Sequence, residues 1–384
     1  HSHEPHIYGI TQMAYDTMSF YNKPQSIIVS GDNGSGKSEC VSSIIDYLLF
    51  RAYTPIDEED PKSFDHRLRN AYIVLDAFGS ASISTNHKST RCGYLTKLIF
   101  EESQFTNATI EPFLLEKTRV IRGGLNERSF NIFYQLLASK DEPGSFKRYL
   151  KHLRLTDANT YNYLSQEGMA LTINPDDPNS IEHDTEGFDD LIEALAILGF
   201  TPNQIQASLQ IISAILFLGN INFKNEKNDN GIDCAVVSNP VALQKFANAL
   251  AVDVYEANLL LTEKKIPSSI KDKHDIIHQL DALNACHTRD LIAKSLYGAL
   301  FRMITKFINV SLKNENEGTA AATNIDGDHE DTACHIDVLD LCGIGNHEMN
   351  EFEHFLINYA NEVIHHSYIQ NVFNSNINIL INQG

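Results

Sequence analysis

Gly31-Asp32-Asn33-Gly34-Ser35-Gly36-Lys37-Ser38 is preceded by the apolar run Ser26-Ile27-Ile28-Val29-Ser30 and followed by Val41, Ile44, Ile45, Leu48 and Leu49 at helical spacing. The stretch reads as strand, glycine-rich loop and helix. It fits the phosphate-loop pattern GxxxxGK[ST] without a gap. The residue types follow from the chemistry. Glycines let successive backbone N–H groups curl inward around phosphate oxygens, and the helix that follows offers the positive end of its dipole. Lys37 reaches the β- and γ-phosphates, and the Ser38 hydroxyl ligates Mg2+. A chance match in a chain of this size is expected in about one or two chains per hundred.

Working outward, the chain has 384 residues, 42% of them hydrophobic, enough for two domains or one large subdivided domain. A formal net charge of -20 and a pI near 5.1 argue against nucleic acid as a partner, because phosphate-backbone binding needs clustered Lys and Arg. Cys40, Cys92, Cys234, Cys286, Cys334 and Cys342 have no CxxC or metal-type spacing and read as reduced thiols. The sixteen histidines, His335 and His365-His366 among them, likewise show no metal spacing. The longest apolar segment, around Ile211 to Leu218, is far short of the ~20 residues a bilayer span needs, so no membrane insertion is expected. The chain starts at His1 in mid-pattern and stops just past Phe373, which reads as a fragment of something longer.

Arg51 to His66 reads as an exposed loop, and Ala71 to Ala77 as a second strand-like apolar run. From Glu127 to Leu312 the pattern is mainly helical, with amphipathic stretches at Phe130 to Leu137, Leu191 to Leu198, Ile205 to Leu218, Leu243 to Leu250 and Leu291 to Val310. Asn314 to Asp331 is a polar, acidic loop. Its Asp326, Asp328 and Glu330 fail the calcium-loop pattern, because Asp331 stands where Gly is required and Asp337 where the bidentate Glu is required. Ile336 to Asp340 reads as a strand ending in a carboxylate, and Phe352 to Phe373 as a long helix.

Two further segments narrow the class. Asn86-His87-Lys88-Ser89-Thr90-Arg91-Cys92-Gly93 follows Asp76-Ala77-Phe78-Gly79-Ser80-Ala81, and Asp340-Leu341-Cys342-Gly343 ends the last strand. With the phosphate loop, these resemble the P-loop (GESGAGKTE), switch I (NxNSSRFGK after LEAFGNA) and switch II (DIxGFE) of the myosin family, in the same order. The resemblance continues through Leu115-Glu116-Lys117-Thr118-Arg119-Val120, Glu127 to Leu137, Tyr161 to Gln166, Ile215 to Phe223 and Phe352 to Glu362. It implies an α/β P-loop NTPase fold with a twisted, mostly parallel central sheet and a large helical upper 50 kDa subdomain. The implied division is 1–140 as the P-loop and switch I core, 141–312 as the helical subdomain, 313–332 as the acidic flexible loop, and 333–384 as the switch II strand and relay-like helix.

The resemblance implies roles for single residues. Gly31, Gly34, Ser35, Gly36, Lys37, Ser38, Glu39 and Asn86 would bind nucleotide. Ser38, Thr90 and Asp340 would hold Mg2+, Asp340 through a water. Ser89 would lie near the attacking water, Arg91 would close the site, and the Gly343 N–H would contact the γ-phosphate. Lys88 stands where the family has a second Asn, which puts a cation beside the phosphates, and Cys92 replaces the usual Phe. The main departure is Ile344-Gly345 in place of Phe-Glu. That Glu pairs with the switch I Arg, so Gly345 leaves Arg91 without its partner; Glu348 lies a turn further on, but it aligns with a Glu the family already has in its following helix and is disfavoured as a substitute. Lys264-Lys265-Ile266-Pro267 corresponds to a surface loop that contacts actin in the family, with an ordinary solvated loop as the favoured alternative.

The implied function is an ATP-binding, actin-based motor ATPase head with Mg2+ as cofactor, cytoplasmic and cytoskeleton-associated, whose hydrolysis is impaired by Gly345. Light chains would bind only if the full-length protein has IQ motifs. The alternative is a non-cycling, myosin-like nucleotide-binding or tethering module, such as the heads fused to fungal chitin synthases. An unrelated P-loop kinase or GTPase is disfavoured, since neither an NKxD motif nor a lid with catalytic arginines is evident.

Overall fold

A computed structural model of the chain describes residues 6–53, 60, 63–84, 86–141, 146–166, 169, 171, 180–266, 276–313, 334–343, 352–374, 377 and 381. The expectations for Ile344-Gly345, Glu348, Pro267 and the acidic loop at Asn314 to Asp331 fall outside these residues. The chain forms two compact units, one of residues 1–116, 197–199 and 304–384, the other of residues 117–196 and 200–303.

The first unit opens with α1 (Ile7–Tyr21), β1 (Gln25–Val29), α2 (Lys37–Ala52) and α3 (Phe64–Gly79), followed by β2 (Ser80–Ile83), β3 (Asn86–Thr90), β4 (Gly93–Glu101) and β5 (Gln104–Phe113). The second unit contributes α4 (Asn131–Ala138), α5 (Lys147–Leu150), α6 (Ser180–Ile197), α7 (Pro202–Gly219), β6 (Phe223–Lys227), β7 (Asp233–Val237), α8 (Pro240–Leu250), α9 (Val254–Thr262), β8 (Glu263–Ile266) and β9 (Ile276–Gln279). The long α10 (Ala282–Ser311) leads back to the first unit, which ends with β10 (Cys334–Asp340) and α11 (Phe352–Ile369).

Four strands of the first unit form one sheet in the order β1-β10-β4-β5. β1 pairs with β10 in parallel, whereas β10 with β4 and β4 with β5 are antiparallel. The sheet of the described residues is therefore mixed, which corrects the expectation of a mostly parallel one. The reason is local. Glu102 and Ser103 both take left-handed backbone (φ 49° and 66°), the two-residue turn that closes a hairpin, so β4 and β5 must run antiparallel. Helices α1 and α2 cover the sheet, burying Val41, Ile44, Ile45 and Leu48 near Ile27, Ile336 and Val338.

A second correction concerns Ala71 to Ala77, which belongs to α3 and not to a strand. Phe64, Leu68, Ala71, Val74, Leu75 and Phe78 are buried at intervals of three and four, the period of one helical face. The run Ala71-Tyr72-Ile73-Val74-Leu75 looks strand-like only when read in isolation. The expected loop from Arg51 to His66 is shorter at both ends, since α2 reaches Ala52 and α3 starts at Phe64.

The second unit is mainly helical as expected, with two hairpins, β6–β7 and β8–β9, that the periodicity did not reveal. Lys264 and Lys265 lie in β8, paired with His278 and Ile277, rather than in a loop. Its core stacks Phe130 and Phe133 on Tyr297, with ring centroids 4.8 Å and 5.6 Å apart. Two buried ion pairs, Arg119–Glu127 at 2.9 Å and Arg128–Asp184 at 2.7 Å, lie within it.

Candidate functional site

Between β1 and α2 the chain must turn sharply, and Gly31, Gly34 and Gly36 take φ values of +151°, +78° and +82° that L side chains avoid. Ser35 N–H donates to Asp32 O (3.2 Å), curling the loop. Lys37 begins α2 and donates from Nζ to Asp32 O at 2.7 Å. Burial lowers its pKa, opposed chiefly by the charge of Asp340. Glu39 sits exposed in the first turn of α2, where a carboxylate suits the helix dipole.

Sheet register brings the remaining parts together. The parallel pairing sets Asp340 beside Val29, the last residue of β1, and the antiparallel pairing sets it beside Tyr94. The Ser38 hydroxyl lies 3.0 Å from Thr90 Oγ1 and donates to Asp340 Oδ2 at 3.3 Å. Three oxygens from three separate segments thus converge at the mouth of the loop, an all-oxygen donor set that suits a hard divalent cation. Asn86 lies against the loop, since a Cβ on Gly34 would stand 3.7 Å from the Asn86 Cβ. Its side chain holds the β3 backbone, donating to Lys88 O at 2.8 Å and accepting from Lys88 N–H at 3.1 Å. Lys88 itself is exposed, and its charge partly offsets the burial that raises the Asp76 carboxyl. Gly343 is pressed against the loop from the other side. A Cβ there would lie 2.1 Å from Asn33 Oδ1 and 2.8 Å from the Asn33 backbone N, so only glycine fits.

Burial raises the Asp340 pKa from 3.8 to about 6, with the Lys37 charge and the Ser38 hydrogen bond opposing it. The folded state therefore holds this proton more tightly than the unfolded chain does. The cost is absent below the unfolded pKa, grows between pH 3.8 and about 6, and is fully present above that. At ~1.4 kcal/mol per pH unit it amounts to about 3 kcal/mol. In metal-free buffer at pH 7.5, Asp340→Asn is expected to stabilise the protein against urea by about 1–3 kcal/mol, with the gain vanishing by pH 4. Equal urea midpoints for the two proteins at both pH values would refute this.

Arg91 is 7% exposed, and its Nε donates to Glu116 Oε2 at 2.5 Å, with Glu116 itself 3% exposed. This corrects the expectation that Arg91 lacks a partner. A buried guanidinium without a counter-charge is strongly destabilising, and Glu116 supplies the charge. Arg91 Nη1 also reaches Ser89 Oγ at 3.5 Å, and the Arg91 backbone is held between Gly79 O and Glu116 N–H. The other Glu116 oxygen, Oε1, pairs with His354 Nε2 of α11 at 2.9 Å. Arg91, Glu116 and His354 line a small cleft with Cys342, Gly343, Ile357 and Asn358.

The family follows from the match of the chain, over residues 1–380, to the model of the myosin head (motor domain). This chain belongs to the myosin head family. It is 30% identical over 370 residues to Myosin-IIIa of Homo sapiens, covering 96% of this chain and 21% of that protein. Against Myosin-I heavy chain of Dictyostelium discoideum it is 31% identical over 370 residues, covering 96% of this chain and 14% of that protein. The chain thus spans about a fifth or less of the length of these curated relatives.

In this myosin head, Ser38, Thr90, Asp340, Asn86 and Gly343, all named from the sequence, lie around the loop, whereas Arg91 lies in the cleft with Glu116. Glu116 and His354 are the site-lining residues that sequence reasoning passed over. Glu116 carried only a weak signal, a carboxylate that ends the apolar run Phe113-Leu114-Leu115 and is followed by Lys117. His354 carried no such signal, because its neighbour comes from 238 residues away. Among the described residues no helix is long and apolar enough to cross a membrane.

Proposed function

We propose that this myosin head binds Mg-ATP at the P-loop mouth as part of an actin-based motor and hydrolyses it slowly. The observation that carries the reading is the meeting of Ser38, Thr90 and Asp340 oxygens within 3.3 Å across chain separations of 52 and 302 residues. Ser38 and Thr90 would ligate Mg2+ and Asp340 would hold one of its waters. The cation would supply charge to the phosphates, and Lys37 and the loop N–H groups would hold them. Asn86 would brace switch I over the phosphates, Ser89 would face the attacking water, and Gly343 would offer its N–H to the γ-phosphate. Residues 141–312, most of which belong to the second unit, would form the upper 50 kDa subdomain, with actin its partner.

Slow hydrolysis follows from Gly345, which stands where the family has the switch II Glu. Phosphoryl transfer depends on positioning and electrostatics, and single charged groups in such sites are worth about 10³ to 10⁵ in rate. The Arg91–Glu116 pair supports the same reading, since the guanidinium that a switch II carboxylate would engage is already satisfied. It also favours the second reading, a non-cycling nucleotide-binding head. Single-turnover ATP hydrolysis by the full-length protein decides between them, run beside Gly345→Glu with mant-ATP binding as a control for folding. We expect tight binding, slow hydrolysis, and an acceleration of about tenfold or more in the variant. Because Arg91 is shared with Glu116, the gain should stay below the full value of such a group. Brisk wild-type turnover, further accelerated by actin, would show that the site closes another way.

A further inference from the structure

Helix α11 directs one face at the nucleotide switches. His354, Ile357, Asn358 and Asn361 are spaced three and four apart, so they share that face, and Ile357 and Asn361 are buried at 8% and 4% exposure. Asn361 donates from Nδ2 to Cys342 O at 2.8 Å, tying the helix to the end of β10 in switch II. Two turns earlier His354 pairs with Glu116 Oε1, whose other oxygen holds Arg91 at the end of switch I. One carboxylate is therefore divided between a guanidinium and an imidazole from two distant parts of the first unit.

We infer that His354 is a positioning residue: through Glu116 it fixes where the Arg91 guanidinium stands, so that α11 is coupled to switch I as well as to switch II. The inference rests on the nucleotide-binding reading above and adds a residue to it. Glu116 can turn toward Arg91 freely only when its second oxygen is released. With Oε1 engaged by the Nε2–H of His354, the carboxylate plane is set, and the Arg91 Nε–H follows it. Arg91 in turn stands 3.5 Å from Ser89 Oγ and continues directly from Thr90, so its position is transmitted to the segment facing the phosphates. A shift of α11 along its axis must then either break the His354–Glu116 bond or carry Arg91 with it. Glu116 and Arg91 are buried at 3% and 7% exposure, and His354 is half-buried at the wall of the cleft, so the bond is largely shielded from solvent on its Glu116 side.

The test is a double-mutant cycle on the dissociation rate of mant-AMPPNP from the full-length protein, with His354→Ala, Arg91→Lys and the double variant, each loaded with Mg2+. This readout does not require hydrolysis. His354→Ala is expected to change the dissociation rate about fivefold in the wild-type background and less than twofold in the Arg91→Lys background. His354→Gln, whose amide N–H2 can still donate to Glu116, should restore the rate to within about twofold of wild type. Should Arg91→Lys fail to fold, Glu116→Gln serves as the second background with the same expectation. A merely structural histidine would produce the same fold-change in both backgrounds. Equal fold-changes, or no effect of His354→Ala, in a protein that binds the probe would overturn the coupling and leave the nucleotide reading intact. Failure of the wild type itself to bind mant-AMPPNP would overturn the nucleotide reading, and the coupling with it.

Discussion

Replacing Lys37 with Ala is expected to weaken mant-ATP binding by about 100-fold or more and to lower single-turnover hydrolysis by about 10³-fold, with the fold retained. The ammonium is the loop's one side-chain cation, at the first position of α2, and Nζ donates only to Asp32 O among the described residues. Removing it costs one exposed hydrogen bond and some stability at neutral pH through Asp340, so the urea midpoint should fall modestly with the fold retained. It also removes the charge that chiefly opposes the burial-driven rise of the Asp340 pKa. Asp340 should then keep its proton to higher pH and compete less well for a divalent cation. The two effects act in the same direction, which is why the expected loss exceeds that of a single phosphate contact. A variant that bound mant-ATP within threefold of wild type would show that the phosphates lie elsewhere.

Asp184→Ala is expected to cost about 3–5 kcal/mol of stability in urea unfolding. Arg128 is fully buried, and its Nη2 donates to Asp184 Oδ2 at 2.7 Å. Among the described residues its Nε and Nη1 have no hydrogen-bond acceptor, and the Asp184 carboxylate and the Tyr134 ring, 3.8 Å from the guanidinium carbon, compensate its desolvation. Burial raises the Asp184 pKa and the Arg128 charge opposes it, the sign expected of a desolvated pair. Removing the acid leaves an unpaired cation in the core. Lys140–Asp157 makes the contrast at a similar distance, 2.6 Å, but with Asp157 72% exposed. Asp157→Ala should stay within about 0.5 kcal/mol of wild type, because water replaces the lost contact. Comparable losses in the two variants would mean that burial is not what sets the value of these pairs.

Much of this molecule is legible in its sequence wherever the governing interactions are local. The strand, loop and helix around Gly31 to Ser38 follow from glycine's access to positive φ and from helical periodicity after Lys37. The amphipathic stretches of α7, α8 and α10 are where the 3.6-residue period puts them. Switch I and switch II are recognisable because their residue types resemble the family's motifs in the same order along the chain. Local reading failed where a run fitted two periods, as at Ala71 to Ala77, whose helical period shows only over the longer stretch from Phe64 to Phe78 and whose Tyr72 hydroxyl and Leu75 carbonyl hydrogen-bond to Thr96 and Tyr94 of β4.

The sequence by itself therefore determined the family, the phosphate loop and the identity of the oxygens that meet at its mouth. Only the tertiary structure decided which charge answers Arg91, which strands run antiparallel, and which face of α11 touches the switches. These are choices between partners far apart in the chain, and no periodicity encodes them. The Arg91 guanidinium must find a carboxylate once it is buried, but that the carboxylate is Glu116, 25 residues further on, depends on what the folded sheet brings within reach. Burial supplies the requirement, and the register of β4 and β5, which delivers Glu116 just beyond the end of the sheet, supplies the answer.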